Sequence, residues 1–289
     1  MRSTATRGDV ILRHRRAVFS PGGIAVQVIL AAGALTMVLP FIWMLSTSFK
    51  PPAEVISWPP RFIPLHPTVK NYVDAMKAAP FFRFFINSFL VSGISTLSIL
   101  LTSSFSGFLF AKYRFPGRDI IFIAILATAM VPFQSYMIPF YLFMRDLGWL
   151  STYQGLVAPL LIMSFGIFFM RQNILSIPDE LMDAARIDGC SEFGIYTKII
   201  LPLSKAALSA LSIFAFRNAW SDFIWPLLIT NDINLYTMEL GLGMFQHRFT
   251  VDYGCITAGS VISVAPILVV FAVFRRNIIE GITLTGLKG

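Results

Sequence analysis

Six stretches of this chain are each long and apolar enough to cross a lipid bilayer, and that leaves few folds open. They run at about residues 24–47, 85–111, 119–142, 153–170, 205–229 and 256–275. At a helical rise of about 1.5 Å per residue, each run of about 18 residues or more reaches across a hydrocarbon core of about 30 Å. The expectation is an all-α membrane protein with six transmembrane helices. Charged residues make up only 13% of the chain and hydrophobic residues 56%, whereas a soluble domain carries about 25% charge. The first apolar run, Ile24 to Leu45, exceeds the roughly 7–15 residues of a cleaved signal core and reads as an anchor.

Basic residues orient the spans. With both termini cytoplasmic, fifteen of the 23 Lys and Arg fall on the inner side, seven on the outer side and Arg217 within a span. That bias follows the positive-inside rule, even though Lys50, Arg61, Lys70, Lys77 and Arg83 make the first outer loop basic. The net charge of +8 is therefore read as topology and contact with anionic lipid, not as nucleic-acid binding. Cys190 and Cys255 fall on opposite faces in this topology, so no disulfide is expected.

One domain is expected: a basic tail over residues 1–23, a membrane domain over 24–279 and a short tail over 280–289. The first outer loop is rich in proline (Pro51, Pro52, Pro59, Pro60, Pro64, Pro67), which favours extended or turn backbone over a further helix. Between spans four and five lies a polar insert at about 176–202. Ser176 with Asp179 fits a capping box, Pro178 suits a first helical turn and Gly189 is placed to end the helix. Ile177, Leu181, Ala184, Ala185 and Asp188 share one face of that helix, with two small residues at its centre. Periodicity alone leaves two readings: a helix resting on lipid headgroups, or a helix docked in a partner's groove.

Within the insert, Asp183-Ala184-Ala185, Gly189, Ile199 and Leu201-Pro202 keep the spacing of a known signature. It resembles the Glu-Ala-Ala, Gly, Ile-x-Leu-Pro motif of the membrane-spanning permeases of bacterial binding-protein-dependent ABC importers, with Asp183 in place of the usual Glu. The resemblance extends over most of the chain and points to the carbohydrate-uptake branch, second-permease (maltose-type) subfamily. It rests also on Leu39 to Lys50, Asn71-Tyr72, Asn87-Ser88, Arg114-Phe115-Pro116-Gly117-Arg118, Asn218 to Leu227 and the ending Gly281 to Gly289. Two segments depart from the family pattern, Ser221 after the tryptophan and Thr285-Gly286-Leu287 near the end.

The resemblance implies a type I ABC importer permease fold and a subunit that forms half of a translocation pathway. In that scheme the helix from Pro178 to Gly189 is a coupling helix, with Asp183, Ala184, Ala185, Asp188, Gly189, Leu201 and Pro202 meeting an ATPase subunit. The tail Gly286, Leu287, Lys288 and Gly289 reaches between the ATPases. Partners would be a second permease, two ATPase subunits that carry ATP and Mg, and an extracytoplasmic solute-binding protein. The solute this implies is a sugar or oligosaccharide, with a glycerol phosphate or another polyol-type solute as the alternative; which sugar does not follow from the sequence.

No cofactor is expected on this chain, which lacks a Gly-x-x-x-x-Gly-Lys-Ser/Thr phosphate loop. A membrane-embedded enzyme has little to rest on. His14, His66 and His247 are scattered, and Gly189-Cys190-Ser191-Glu192-Phe193 fails the Gly-x-Ser-x-Gly pattern at its last position. No catalytic or metal-binding residues are assigned. The paired halves with interrupted spans, or the ring of pore charges, of a self-contained secondary transporter or channel are not evident either.

Polar residues inside spans carry the remaining signal. Asn218 and Asp222 lie four apart on one face of span five beside Arg217, and a charge at mid-membrane costs at least about 2.5 kcal/mol unless it faces protein or water. They line a pathway or form an internal ion pair. Gln134, between Pro132 and Pro139, lines the same kind of path or bonds a carbonyl freed by proline. Trp220, Trp225 and Tyr236 read as an interfacial aromatic belt or as sugar-stacking rings. The outer loop from Thr230 to Tyr253 is expected to meet the binding protein.

Overall fold

The computed structural model describes residues 21–245 and 252–285, and every regular element among them is helical. In chain order these are α1 (Pro21–Ser48), α2 (Lys70–Ala78), α3 (Phe81–Lys112), α4 (Arg118–Thr128), α5 (Phe133–Asp146), α6 (Tyr153–Val157) and α7 (Ser164–Leu175). There follow α8 (Glu180–Ile187), α9 (Glu192–Ile195), α10 (Lys205–Trp220), α11 (Ile224–Ile229), α12 (Met238–Leu242) and α13 (Tyr253–Thr285). Single turns of α-helix at Pro52–Val55, in the proline-rich loop, and at Leu201–Leu203, together with turns of 3-10 or π helix, lie between them.

Three expected spans are continuous helices, α1, α3 and α13, while the other three are broken. The axis bends by 94° between α4 and α5, by 47° between α6 and α7, and by 78° where the helical stretch Glu192–Leu203 meets Lys205–Ile229. Hydropathy reads these stretches as straight because it sums composition and is blind to single interruptions. At the first break Pro132 sits in extended backbone, with no N–H to continue a helical ladder. At the second, Met163 is extended (φ −129°, ψ 107°).

The centre of the bundle is α3. It packs against α7 on one side and α10 on another; α13 then packs on α10, and α1 on α13. Small residues permit the closest approach. A Cβ on Gly166 would lie 2.4 Å from Ser103 Oγ, and one on Gly107 would lie 2.8 Å from Met170 Cβ. In lipid, where no hydrophobic force drives helices together, such close backbone contact is what holds a pair. By contrast α1 is exposed along nearly its whole apolar length, and only its last residues, with Lys50 beyond them, are buried.

Both tryptophans of span five belong to the core, neither to a belt nor to a sugar platform. Trp220 and Trp225 are each 1% exposed, and their indole N–H groups donate to Ser263 Oγ (3.0 Å) and to the Gly155 carbonyl (2.9 Å). Burial of two large rings with both polar atoms satisfied pins α10 and α11 to α13 and α6.

Candidate functional site

Two polar regions stand out against the apolar bundle, an insert at one end and a cavity open on its face, where Gln134, Arg217 and Asn218 are exposed. The insert is α8, α9 and the turns around them, seated on the Lys112 end of α3. α7 ends at Ser176, whose hydroxyl donates back to the Asn173 carbonyl (2.7 Å). The expected capping box therefore does not form. Buried Lys112 claims Asp179 instead, with its Nζ 2.6 Å from Oδ1 and a second bond to the Ile177 carbonyl. Pro178 falls in the connection, and the helix begins at Glu180, three residues later than a cap at Ser176 predicts.

The other end of α8 follows the glycine signal. Gly189 has φ +80°, its N–H donates to the Arg186 carbonyl (3.1 Å), and the Cys190 N–H reaches the Ala185 carbonyl (2.9 Å). Those two bonds make a Schellman turn, which requires a residue tolerant of the left-handed region at that position. The chain then reverses into α9, where Ser191 Oγ accepts from the Gly194 N–H (3.2 Å).

The expected small-residue face is divided by the fold. Ala185, with Met182, is buried in a cluster that includes Ile174, Ile177, Ile195, Tyr196 and Ile200. Leu181, Ala184 and Asp188 point outward. Around them the surface is apolar, with Ile187 86% and Phe193 68% exposed. Sequence reasoning passed over Ile187 and Phe193, although an apolar pair flanking a polar turn is itself a legible mark.

A charge network braces this turn. Arg186 bonds Asp183 Oδ1 (2.8 Å) and both oxygens of Glu192 (2.8 and 3.2 Å), and the Tyr113 hydroxyl donates to Glu192. Hydrogen bonds from Arg186 and then Tyr113 hold the Glu192 carboxyl below its ordinary range. Burial first, and the Glu192 bond second, push the Tyr113 phenol up to about 12. Leu201 and Pro202 lie where α9 passes through a π turn into Leu201–Leu203, just before the 78° bend at Ser204.

The second region is a cavity of about 370 Å³ lined by Phe133, Gln134, Tyr136, Arg217, Asn218 and Asp222, among others. All three intramembrane polar residues singled out from sequence thus meet at one place. Each comes from beside a helix interruption: Gln134 follows the α4–α5 break, and Asn218 and Asp222 flank the end of α10. Irregular backbone at membrane depth is tolerated where it lines a cavity of this kind. Arg217 and Asp222 do not approach within ion-pair distance, so no internal pair forms between them; Asp222 Oδ1 accepts from the Trp225 N–H (3.4 Å). The tail residues Gly286, Leu287, Lys288 and Gly289 lie outside the described residues.

A helical membrane bundle with broken spans, a polar cavity at the breaks and an exposed helix between two late spans has the form of a transport subunit. Residues 100–282 match the family described as the inner membrane component of binding-protein-dependent transport systems. The chain belongs to that family.

Its relatives are transport permeases. The chain is 35% identical to the arabinooligosaccharide transport permease AraQ of Halalkalibacterium halodurans, over 89% of this chain and 93% of that one. It is 34% identical to the sn-glycerol-3-phosphate transport permease UgpE of Shigella flexneri, over 71% of this chain and 74% of the other. Among solved structures, a chain of a bacterial ABC transporter for the acidic polysaccharide alginate superposes with a TM-score of 0.77 at 23% identity, covering 95% of this chain and 99% of that one. That likeness fixes the type of fold.

Proposed function

We propose that this chain is one of two membrane-spanning permeases of an ATP-driven carbohydrate importer in a bacterial cytoplasmic membrane. In this reading both termini and the α8–α9 insert are cytoplasmic, and the Asn234 end faces outward. Two separate ATPase subunits, which bind ATP and Mg, grip the insert of this chain and of its sister permease. A solute-binding protein delivers sugar to the outer face. No nucleic acid is involved, and anionic lipid meets the basic inner rim.

The observation that carries the reading is the apolar rim of the signature helix. Leu181, Ala184, Ile187 and Phe193 are left in water by the isolated chain while Met182 and Ala185 seal the underside as part of a buried cluster that extends to residues of α3, α7 and α10. An exposed apolar surface held on a rigid turn is a docking surface. Ala184 supplies close approach there, whereas Ala185 acts by seating the helix. When the ATPases move, the docked insert moves with them and shifts the bundle between inward-open and outward-open states.

The arabinooligosaccharide relative supports a saccharide as solute; the glycerol-phosphate relative keeps a polyol phosphate as the second reading. Mild-detergent purification of the tagged chain from its host, with mass spectrometry of everything recovered, tests the assembly. An ATPase, a second permease and a solute-binding protein are expected to come with it. Recovery of the chain alone at every detergent strength would defeat the coupling argument. Gly189→Asp places a side chain at φ +80° and a charge in the turn, and is expected to lower uptake at least about tenfold by uncoupling it from ATP hydrolysis. Wild-type uptake in that variant would count against the assignment of α8.

A further inference from the structure

The cavity beside the α4–α5 break, the α6–α7 break and the end of α10 carries a cation that pairs with no described residue. Arg217 lies about 18 Å along the helix from the start of α10, deep in the span, and faces the cavity with Gln134, Asn218 and Asp222. Its guanidinium makes no hydrogen bond or ion pair with any described residue. The Asn218 and Gln134 side-chain amides are likewise unspent. Asp222, the cavity's carboxylate, is turned to the start of α11, where it accepts from the Trp225 N–H (3.4 Å). A charge at this depth ordinarily finds a partner or faces water on a solute path.

The chemistry of the lining narrows what that partner is. A guanidinium offers a planar fork of donors that matches the two oxygens of a carboxylate, sulfonate or phosphate. Beside it lie the Phe133 and Tyr136 rings, edge to face at 5.2 Å, and the two amides, which both donate to and accept from hydroxyl groups. The volume of about 370 Å³ falls in the ordinary range for small-molecule sites, about 300–1,000 Å³. We propose that this cavity recognises a carbohydrate bearing one anionic group, a uronate, sulfonate or phosphate ester. The anion seats on Arg217, and the hydroxyls meet Asn218, Gln134 and the Asp222 carboxylate. This rests on reading the chain as an import permease and adds to it the charge class of the solute and the residue that selects it.

The test uses the intact importer in its host. A strain lacking this chain is complemented with wild type, Arg217→Gln or Arg217→Lys, and uptake is measured for radiolabelled pairs: digalacturonate against lactose, galacturonate against galactose, and glycerol 3-phosphate against glycerol. Co-purification of the other subunits reports assembly of each variant. Chain-dependent uptake of an acidic probe is expected, reduced at least tenfold in Arg217→Gln through a raised KM with assembly intact. Arg217→Lys is expected to recover part of it, since the charge returns without the fork, and it carries the test if Arg217→Gln fails to assemble. Three results overturn the proposal: chain-dependent uptake of neutral probes only, acidic uptake indifferent to Arg217→Gln, or Arg217→Gln abolishing assembly while Arg217→Lys transports the acidic probe like wild type. The last assigns the charge to a neighbouring subunit or a lipid headgroup. Each of the three leaves the importer reading standing; uptake of no probe by any strain, with the chain assembled, removes both.

Discussion

The two ends of α3 hold their neighbouring inter-span segments by different chemistry. At the Lys112 end, the α8–α9 insert rests on a buried apolar plug and is braced by ion pairs whose acids are half or more exposed. At the Phe81 end, the segment carrying Ile233–Leu235 and α12 is tied down mainly by neutral hydrogen bonds from the buried Asn87 and Ser88 side chains, with one exposed bond from Arg83 Nε to the Asn234 carbonyl (3.0 Å). Asn87 Nδ2 donates to the Asn234 (2.8 Å) and Tyr236 (2.9 Å) carbonyls, the Tyr153 hydroxyl donates to Asn87 Oδ1 (2.6 Å), and the Met238 N–H donates to Ser88 Oγ (2.7 Å). Exposed pairs are each worth about 0–1 kcal/mol, whereas orphaning a buried polar group costs about 1–3 kcal/mol. One end is built as a rigid rim and the other as a lever that can be re-seated without a large loss.

The contrast breaks first at Asn87. Replacing it with Ala removes three bonds and strands the Tyr236 carbonyl and the Tyr153 hydroxyl, while Arg83 Nε still serves the Asn234 carbonyl, so a loss of about 3 kcal/mol is expected, read as a lower unfolding midpoint of the detergent-solubilised complex. Gly166→Val probes the helix contact shared by both ends. Its Cβ would stand 2.4 Å from Ser103 Oγ, and the overpacking is expected to cost about 1–3 kcal/mol in the same measurement. Arg186→Gln should cost no more than about 1 kcal/mol. A loss as large as that of Asn87→Ala would erase the distinction between lever and rim.

Acid and base sharpen the same point with the smallest effect. Glu192 is held below its ordinary value of 4.5, so its bracing is complete above about pH 4.5 and is lost as pH falls through the lower folded value. Tyr113 is raised from 10.0 to about 12, so its contribution is present below about pH 10 and is lost as pH rises through about 12. Amide exchange over residues 183–195, corrected for its intrinsic pH dependence, should show constant protection from about pH 6 to 9 and reduced protection below about pH 4. Unchanged protection in acid would show that the apolar plug alone holds the insert.

Much of the insert was legible because its rules are local. A glycine after a helical run calls for a left-handed turn, and Gly189 adopts one. The N-terminal cap departs from its pattern because spacing does not fix the partners of Ser176 and Asp179: the Asn173 carbonyl and the Lys112 ammonium are set by how α7 ends and by the far end of α3. The broken spans were hidden for a related reason: Pro132 and Ser204 alter the helix axis without altering hydropathy. The burial of Trp220 and Trp225 is not legible locally because burial of an aromatic depends on what packs over it, and their partners Ser263 and Gly155 lie 43 and 70 residues away.

Composition and apolar run length alone determined a helical membrane protein, since lipid leaves the backbone few ways to satisfy itself. The spacing from Asp183 to Pro202 alone pointed to the family. Only the tertiary structure decided which alanine of the signature faces outward, since α8 can bury one side only and the plug beneath it chose Ala185. It alone brought Gln134, which lies on a different span, to Asn218 and Asp222, and left Arg217 without a partner among them. Contacts across that sequence distance depend on where three helices break, and a break is a property of the packed chain as much as of the residue that begins it.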